Sequence, residues 1–365
     1  MPSLALVVGG SSSAPGRRIR GWQSATIRRS IDELAPAFSV EVRTAAGLDT
    51  REALAVGEYV EVLVDEETVL SGWIEEVEVA GDGRDSSLSV SGRAITGDLV
   101  DCHVIGDGAA KRSSWRKATT LQIARDLCEP FGIEVSSDVA DLSRPVPHFR
   151  TQPGETVFDA LLRLAQDHGV RLSTSPLGEL RFVRTGSRRS GGAIRYGANV
   201  HRFSIKDSSA ERFSTYIFRG QIPATDETSG KAAASVSWSE DDPVVGRYRP
   251  FLIQDDIQGG ADARERRARF ERNTRAGRAL VLSYDVRPLT GSLEAWYAAP
   301  GEIWEENTIV SVEDEEHGVT GEWLIRSVDL RLANGSATVA SLELVAPGAY
   351  DVAAKPKKRK KGIVW

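Results

Sequence analysis

The chain has 365 residues, 41% of them hydrophobic and 27% charged, enough for two or three domains with real cores and too apolar for a largely disordered protein. Its 46 basic and 52 acidic side chains give a net charge of −6, but six of the basic groups sit in the run Lys355 to Lys361, leaving 40 against 52 elsewhere. An acidic body does not suit a protein that grips phosphate with its main surface.

No apolar stretch approaches the roughly 18 residues of a membrane-spanning helix. The run Leu4 to Val8 is too short for the core of a signal peptide, and Arg17, Arg18 and Arg20 follow it rather than precede it. Two cysteines, Cys102 and Cys128, make no disulfide framework. Synthesis in a cytoplasm without membrane insertion is the expectation.

In chain order, the first hundred residues read as β structure. Phe38, Val40 and Val42 alternate, as do Val60, Val62 and Val64, the period of half-buried strands. Asp65-Glu66-Glu67 and Gly81-Asp82-Gly83 are turn signals between them. Ser30 with Glu33 forms a capping-box pattern before Leu34, which predicts one short helix. An antiparallel meander or small barrel is expected.

From about 101 to 185 the character changes to two helices in an internal repeat offset by 37 residues. Leu127 to Val135 lines up with Leu164 to Leu172, and Thr119 with Thr156 as N-caps. Leu121, Ala124, Cys128 and Phe131 are predicted to share one helix face, and Phe158, Leu161, Leu162 and Ala165 the other. Gly132 and Gly169 sit where a left-handed residue would end each helix. Two helices packed on a small sheet make an α/β module between β regions.

A Gly/Arg/Ser stretch from Gly186 to Gly192 reads as a linker, and β patterning returns at Phe203, Ile205, Tyr216 and Phe218. Residues 223–243 read as a long exposed connection. Ala261 to Arg278 is a predicted helix with seven arginines, balanced by partners such as Asp262 with Arg266 and Glu271 with Arg275. Strands near Thr308–Glu313, Trp323–Leu332 and Ala337–Val345 close the order, with Asn334-Gly335 as a hairpin turn. The run Lys355 to Trp365 reads either as a flexible arm that orders on an acidic partner, with Trp365 as apolar anchor, or as a disordered end.

A search for chemistry leaves no catalytic constellation. The five histidines, at 103, 148, 168, 201 and 317, include no i,i+4 pair with a glutamate in a metalloprotease pattern. His168 occupies the repeat position of Phe131 and reads as a packed helix end. There is no CxxC for zinc and no G-x-S-x-G elbow. Gly106-Asp107-Gly108 fits neither a dinucleotide fingerprint nor a P-loop. The acidic clusters Asp65–Glu67, Glu75–Glu78 and Glu313–Glu316 include two at predicted turns, where solvated carboxylates are common, and Asp314-Glu315-Glu316 lacks calcium-loop spacing. The expectation is no catalytic, cofactor-binding or metal-binding residue, and partner-binding residues are left open.

Several segments together resemble one family. Gly21-Trp22, then Arg29-Ser30-Ile31-Asp32-Glu33-Leu34-Ala35 and Phe38, resemble the opening of the baseplate hub proteins of Mu-like contractile-tailed phages. Gln152 to Phe158 with Leu161 to Ala165 and Gly169 resemble a block of that family shared more distantly with late control D and VgrG proteins. Trp304, Asn307, Val310, Val312, Gly321 to Ile325, Val328, Leu342, Leu344, Pro347 and Tyr350 follow its C-terminal pattern. The resemblance runs from about residue 3 to 352.

What the resemblance implies is a β-rich α+β chain with two tube-type antiparallel β-barrels and an inserted small α/β module. The expected divisions are 1–100 for the first barrel, completed by part of 193–222, 101–186 for the insertion, 187–350 for the second barrel with its polar connection and Arg-rich helix, and 351–365 for the basic flexible tail. The implied role is a structural, non-catalytic hub: a homotrimeric ring that adapts a sixfold tail tube to a threefold spike in the virion baseplate. Its implied partners are the central spike, the tail tube, neighbouring wedge proteins and a tape-measure protein, with DNA only in transit. No cofactor is implied, and an acidic body suits a channel that DNA must slide through. The alternatives are the hub of a tail-like bacteriocin, a VgrG-like spike component, which would need a following gene-5-like β-helix that the length leaves no room for, and a baseplate cell-wall hydrolase, whose lysozyme or peptidase residues are missing.

Overall fold

Alternation of apolar and polar residues gives strands wherever one face can be buried, and here it builds most of the molecule. The structure, a computed structural model, describes residues 3–9, 16–44, 54–81, 86–105, 113–220, 236–255, 261–287, 295–332 and 338–350. The Gly106-Asp107-Gly108 and Asn334-Gly335 segments, Asp82-Gly83, residues 221–235 of the polar connection and the tail lie outside the described residues.

The first half is β1 (Leu4–Val8), β2 (Arg17–Ile19), β3 (Ser24–Ser30), β4 (Ala37–Thr44), β5 (Tyr59–Val64), β6 (Glu67–Gly81) and β7 (Ser86–Ala94). Val60, Val62 and Val64 are all buried, as are Phe38 and Val40. Asp65 and Glu66 both take positive φ, 46° and 74°, the two-residue turn whose twist matches a hairpin. The helix expected after Ser30 is absent. Residues 31–36 are a turn in which the Asp32 N–H donates to Ser30 Oγ and the Ile31 N–H to the Arg326 carbonyl. Tertiary partners claim the groups that a helix would have used.

The middle comprises α1 (Gly97–Asp101), β8 (Ser114–Thr119), α2 (Thr120–Cys128), β9 (Val135–Ser137), β10 (Pro145–Arg150), α3 (Val157–His168), β11 (Arg171–Thr174) and β12 (Leu180–Val183). The repeat is realised as expected. Thr119 Oγ1 accepts from the Gln122 N–H and Thr156 Oγ1 from the Asp159 N–H, at 3.1 Å each, while Gly132 and Gly169 take φ of 67° and 63°. The equivalent strands β9 and β11 flank β12, parallel on one side and antiparallel on the other. The buried stripes are rotated from the expected ones: Ile123, Ala124, Leu127 and Cys128 on α2, and Val157, Ala160, Leu161, Leu164 and Ala165 on α3. Leu121, Phe131, Phe158 and Leu162 are half-buried at the edge of this core, because the helices meet along the row one position over.

The last part runs β13 (Arg188–Arg195), β14 (Val200–Asp207), β15 (Thr215–Gly220), β16 (Val236–Asp241), β17 (Pro250–Asp255), α4 (Ala261–Ala279), β18 (Leu280–Val286), β19 (Tyr297–Ala299), β20 (Glu302–Ile303), β21 (Thr308–Asp314), β22 (Val319–Leu332) and β23 (Val339–Val345). The supposed linker at 186–192 is largely β13, which pairs in parallel with β21 across a bulge. Its glycines serve packing, not flexibility. A Cβ on Gly192 would lie 2.5 Å from the Ala298 carbonyl and 2.8 Å from the Trp304 ring. Likewise, the connection read as exposed contains β16, whose Trp238 packs on the small core beneath it.

The fold is strand-rich α+β, dominated by one 13-stranded sheet whose main path is β14-β18-β23-β22-β3-β4-β7-β6-β5-β1-β2, with β21 and β13 branching from β22. The 14-residue β22 joins the halves. Its C-terminal stretch pairs with β3, Ser327 opposite Ser30 through Leu332 opposite Ala25. Strands within 193–222, expected to complete the first half, instead pair with β21, with β18, and with β16 and β17. Both halves contribute to one continuous apolar core, from Leu4 and Val62 to Trp296 and Leu344. The α/β module keeps its own core, and β15–β17 with α4 make a third, smaller one.

Candidate functional site

The site that the fold assembles is a joint. At the β3–β4 turn, four segments far apart in sequence converge on one carboxylate. Arg326 Nε of β22 donates to Asp32 Oδ2 at 2.6 Å, Arg278 Nη2 at the end of α4 to Oδ1 at 2.6 Å, Arg171 Nη2 of β11 to Oδ1 at 3.3 Å, and the Tyr350 hydroxyl to Oδ2 at 3.0 Å. Arg171 also donates to the Ile31 carbonyl at 2.7 Å and stacks 4.7 Å above the Tyr350 ring. The arginines therefore tie the α/β module, the long helix and the second half of the sheet to one turn of the first half.

Electrostatics favour the ionised carboxylate. Burial pushes the Asp32 carboxyl up, but the hydrogen bond and charge of Arg278, then Arg326 and Arg171, more than offset it and hold it at about 2. Burial pulls the Arg171 guanidinium down, opposed mainly by Asp32. Removing water from an ion cluster is costly unless geometry is good and further donors are satisfied. Here both carboxylate oxygens carry at least two donors.

Neighbouring contacts stiffen the same joint. Thr174 Oγ1 donates to the Leu34 carbonyl at 2.6 Å and meets Thr96 Oγ1 at 2.8 Å. Arg29 and Glu306, both buried, pair at 3.0 Å. Asn307, at φ 62°, accepts from the Gly186 N–H and donates to the Arg184 carbonyl, fixing the exit from the module. A cluster of this kind can hold three packed units in one orientation.

The acidic clusters singled out in the sequence are dispersed over the fold, and several of their carboxylates are engaged in it. Asp65 accepts from the Ser3 N–H and the Tyr297 hydroxyl, Glu66 pairs with Arg18 and Arg20, Glu75 with Arg93, and Glu313 with Arg195. Asp314, fully buried, accepts from the Tyr284 hydroxyl at 2.9 Å and contacts His317 Nδ1 at 2.8 Å. Burial and the Asp314 charge raise the Tyr284 phenol. His168 ends α3 and bonds Thr120 at 2.9 Å. Among the described residues, no group of three or more His, Cys, Asp or Glu is placed to hold a metal ion, and no helix is long and apolar enough to cross a membrane.

The Asp32 joint escaped sequence reasoning as a unit, since its members are 139 to 318 positions apart. Two of its members, Asp32 and Tyr350, do lie within the segments that carry the family resemblance.

Comparison with known proteins follows the same segments. The family pattern described as "Baseplate hub protein gp44-like, second domain" matches residues 96–184, and "Mu phage baseplate assembly protein GpP-like, N-terminal" matches residues 11–94. The baseplate hub protein gp44 of Escherichia phage Mu is 29% identical over 326 residues, 87% of this chain and 83% of that protein. Among solved structures, the 43 kDa tail protein of prophage MuSo2 from Shewanella oneidensis superposes with a TM-score of 0.79 at 26% identity, covering 96% of this chain and 99% of that one. A tail protein from Neisseria meningitidis superposes at 0.76 and 21% identity, covering 96% and 99%.

Proposed function

We propose that this chain, a baseplate hub protein of the Mu-like phage family, is a structural and non-catalytic subunit whose three copies close a ring between the tail tube and the central spike. The observation that carries this reading is the single sheet that spans both β halves through β22 and β3. With two tube-like halves per subunit locked by one sheet and one joint, three copies present six similar units to a sixfold tube and a threefold face to a spike. Rigidity matters for such an adaptor. An interface larger than about 1,200 Å² must be matched on both sides at once, and a loose joint would charge each contact for its ordering.

The proposed partners are the spike, the tube and the neighbouring wedge proteins, with assembly in the host cytoplasm and residence in the virion. The acidic body outside the C-terminal basic run leaves DNA in transit without fixed phosphate contacts.

Deleting the gene and imaging lysates by electron microscopy tests the reading. Tails without a baseplate, restored by the gene in trans, are the expected result, and complete baseplates in its absence would refute it. The purified protein should leave peptidoglycan turbidity unchanged; clearing would assign it a hydrolase activity instead.

A further inference from the structure

One region differs in charge from the rest of the chain. Residues 208–279 hold 12 basic and 11 acidic side chains, whereas the remainder, apart from the 355–361 run, holds 28 and 41. This region carries the sheet of β16, β15 and β17, whose inner face buries Tyr216 and Phe218 against Ala268 of α4. Its β16–β17 loop displays Tyr248, 92% exposed, between Arg247 and Arg249, and Leu252 of β17 is 54% exposed.

That loop is built, not slack. Asp242, fully buried, accepts Arg212 Nε at 2.9 Å and Nη2 at 2.8 Å, and the Val244 N–H at 3.1 Å. Arg249 lies 4.9 Å over the Phe213 ring and donates to the Ala210 carbonyl at 2.5 Å. Tyrosine and arginine are the side chains that dominate interface energies, and a loop fixed in advance loses little entropy on binding. An exposed tyrosine beside the exposed Arg247, on a loop held in this way, is a surface prepared for an acidic partner with an apolar spot.

We propose that this loop docks on a second copy of the chain, against the outer half of β6, where Glu76 and Glu78 are exposed and Val79 is 52% exposed. Arg249 ties the loop to the Ala210 carbonyl, two residues after Ser208, whose N–H donates to the Ala279 carbonyl at the end of α4. Sheet register puts that end of α4 and the end of β6 at opposite ends of the large sheet. α4 enters the large sheet at Leu280, opposite Asp207 and at the end that carries Ser30 and the Asp32 turn. β6 finishes at Gly81, opposite Ser86 and, one strand on, Thr44, at the far end of β4 and β7. A contact between unlike surfaces is head-to-tail, which closes into a ring when its rotation allows. The proposal rests on the homotrimer reading and assigns that reading an interface.

Native mass spectrometry of four full-length proteins tests it: wild type, the loop variant Arg247→Glu with Tyr248→Ala, the strand variant Glu76→Arg with Glu78→Arg, and the charge-swapped chain combining Arg247→Glu with the two β6 changes. All changed positions are exposed, and circular dichroism checks their folding. Wild type should be a trimer, each single-surface variant a monomer, their mixture a dimer that cannot close, and the charge-swapped chain a trimer again. A trimer in either single-surface variant, or a wild type monomeric at every concentration, overturns the proposed contact. Incorporation of the same proteins into tails reads the hub role separately: a variant that stays trimeric and is incorporated sinks only the contact, whereas exclusion of the wild type sinks the hub reading.

Discussion

Arg278, at the C-terminal end of α4, places its guanidinium 2.6 Å from the carboxylate of Asp32, 246 positions earlier in the chain. That bond joins the long helix to the β3–β4 turn of the β core. It shares its acceptor with Arg326, Arg171 and Tyr350, so one side chain carries four long-range attachments.

Asp32→Asn keeps the shape and removes the charge, leaving three arginines around a neutral group. Breaking one partner of a buried ion cluster costs about 3–5 kcal/mol, and urea unfolding should show a loss of that order. Glu322→Gln, which breaks the exposed pair with Arg189, should change stability by no more than about 1 kcal/mol.

The same carboxylate sets an acid limit. Its folded value of about 2 lies below the ordinary 3.8, so the native state holds it ionised more strongly than the unfolded chain does. The resulting stabilisation, about 2 kcal/mol, is complete above the unfolded value and disappears as the pH falls through the folded one. Wild type minus Asp32→Asn stability should therefore be flat from pH 7 to about 5 and shrink between about 4 and 2. A difference that stays constant through that window would show that the ionisation of Asp32 is not its source.

Gly277 lies inside α4, where alanine would ordinarily help a helix by about 1 kcal/mol. A Cβ there would lie 2.1 Å from Ala349 Cβ and 2.7 Å from its Cα, so overpacking wins, and Gly277→Ala should destabilise by about 1–3 kcal/mol. At Gly246, where a Cβ meets nothing within 4 Å, alanine should be neutral or slightly stabilising. Thermal or urea unfolding of the pair reads the sign directly.

Burial pushes the Cys128 thiol up to about 12, whereas Cys102 is exposed. Since the thiolate is the reactive form, a maleimide reagent at neutral pH should modify one thiol in the folded protein and two in urea. Modification of both in the native state would place α2 outside the core described for it.

Much of this architecture was legible in the sequence because it is local. Strand alternation located β4 and β5, and threonine caps with terminal glycines located α2 and α3. What failed was set by tertiary partners. The Ser30–Glu33 pattern is a helix start in isolation, but Asp32 is drawn to three arginines and the Ile31 N–H to Arg326. The glycines of β13 resemble a linker until the Ala298 carbonyl and the Trp304 ring are seen against Gly192. The pairing of β22 with β3 spans about 300 residues, and no local signal encodes it. The Asp32 joint is hidden for the same reason, although the arginine-rich helix that supplies Arg278 was plain.

The central claim, a trimeric hub, is tested most directly by the native mass of the wild-type protein in light scattering or native mass spectrometry. The account predicts a particle of three times 39.6 kDa, alone or on addition of the spike protein. A strict monomer under both conditions would contradict it.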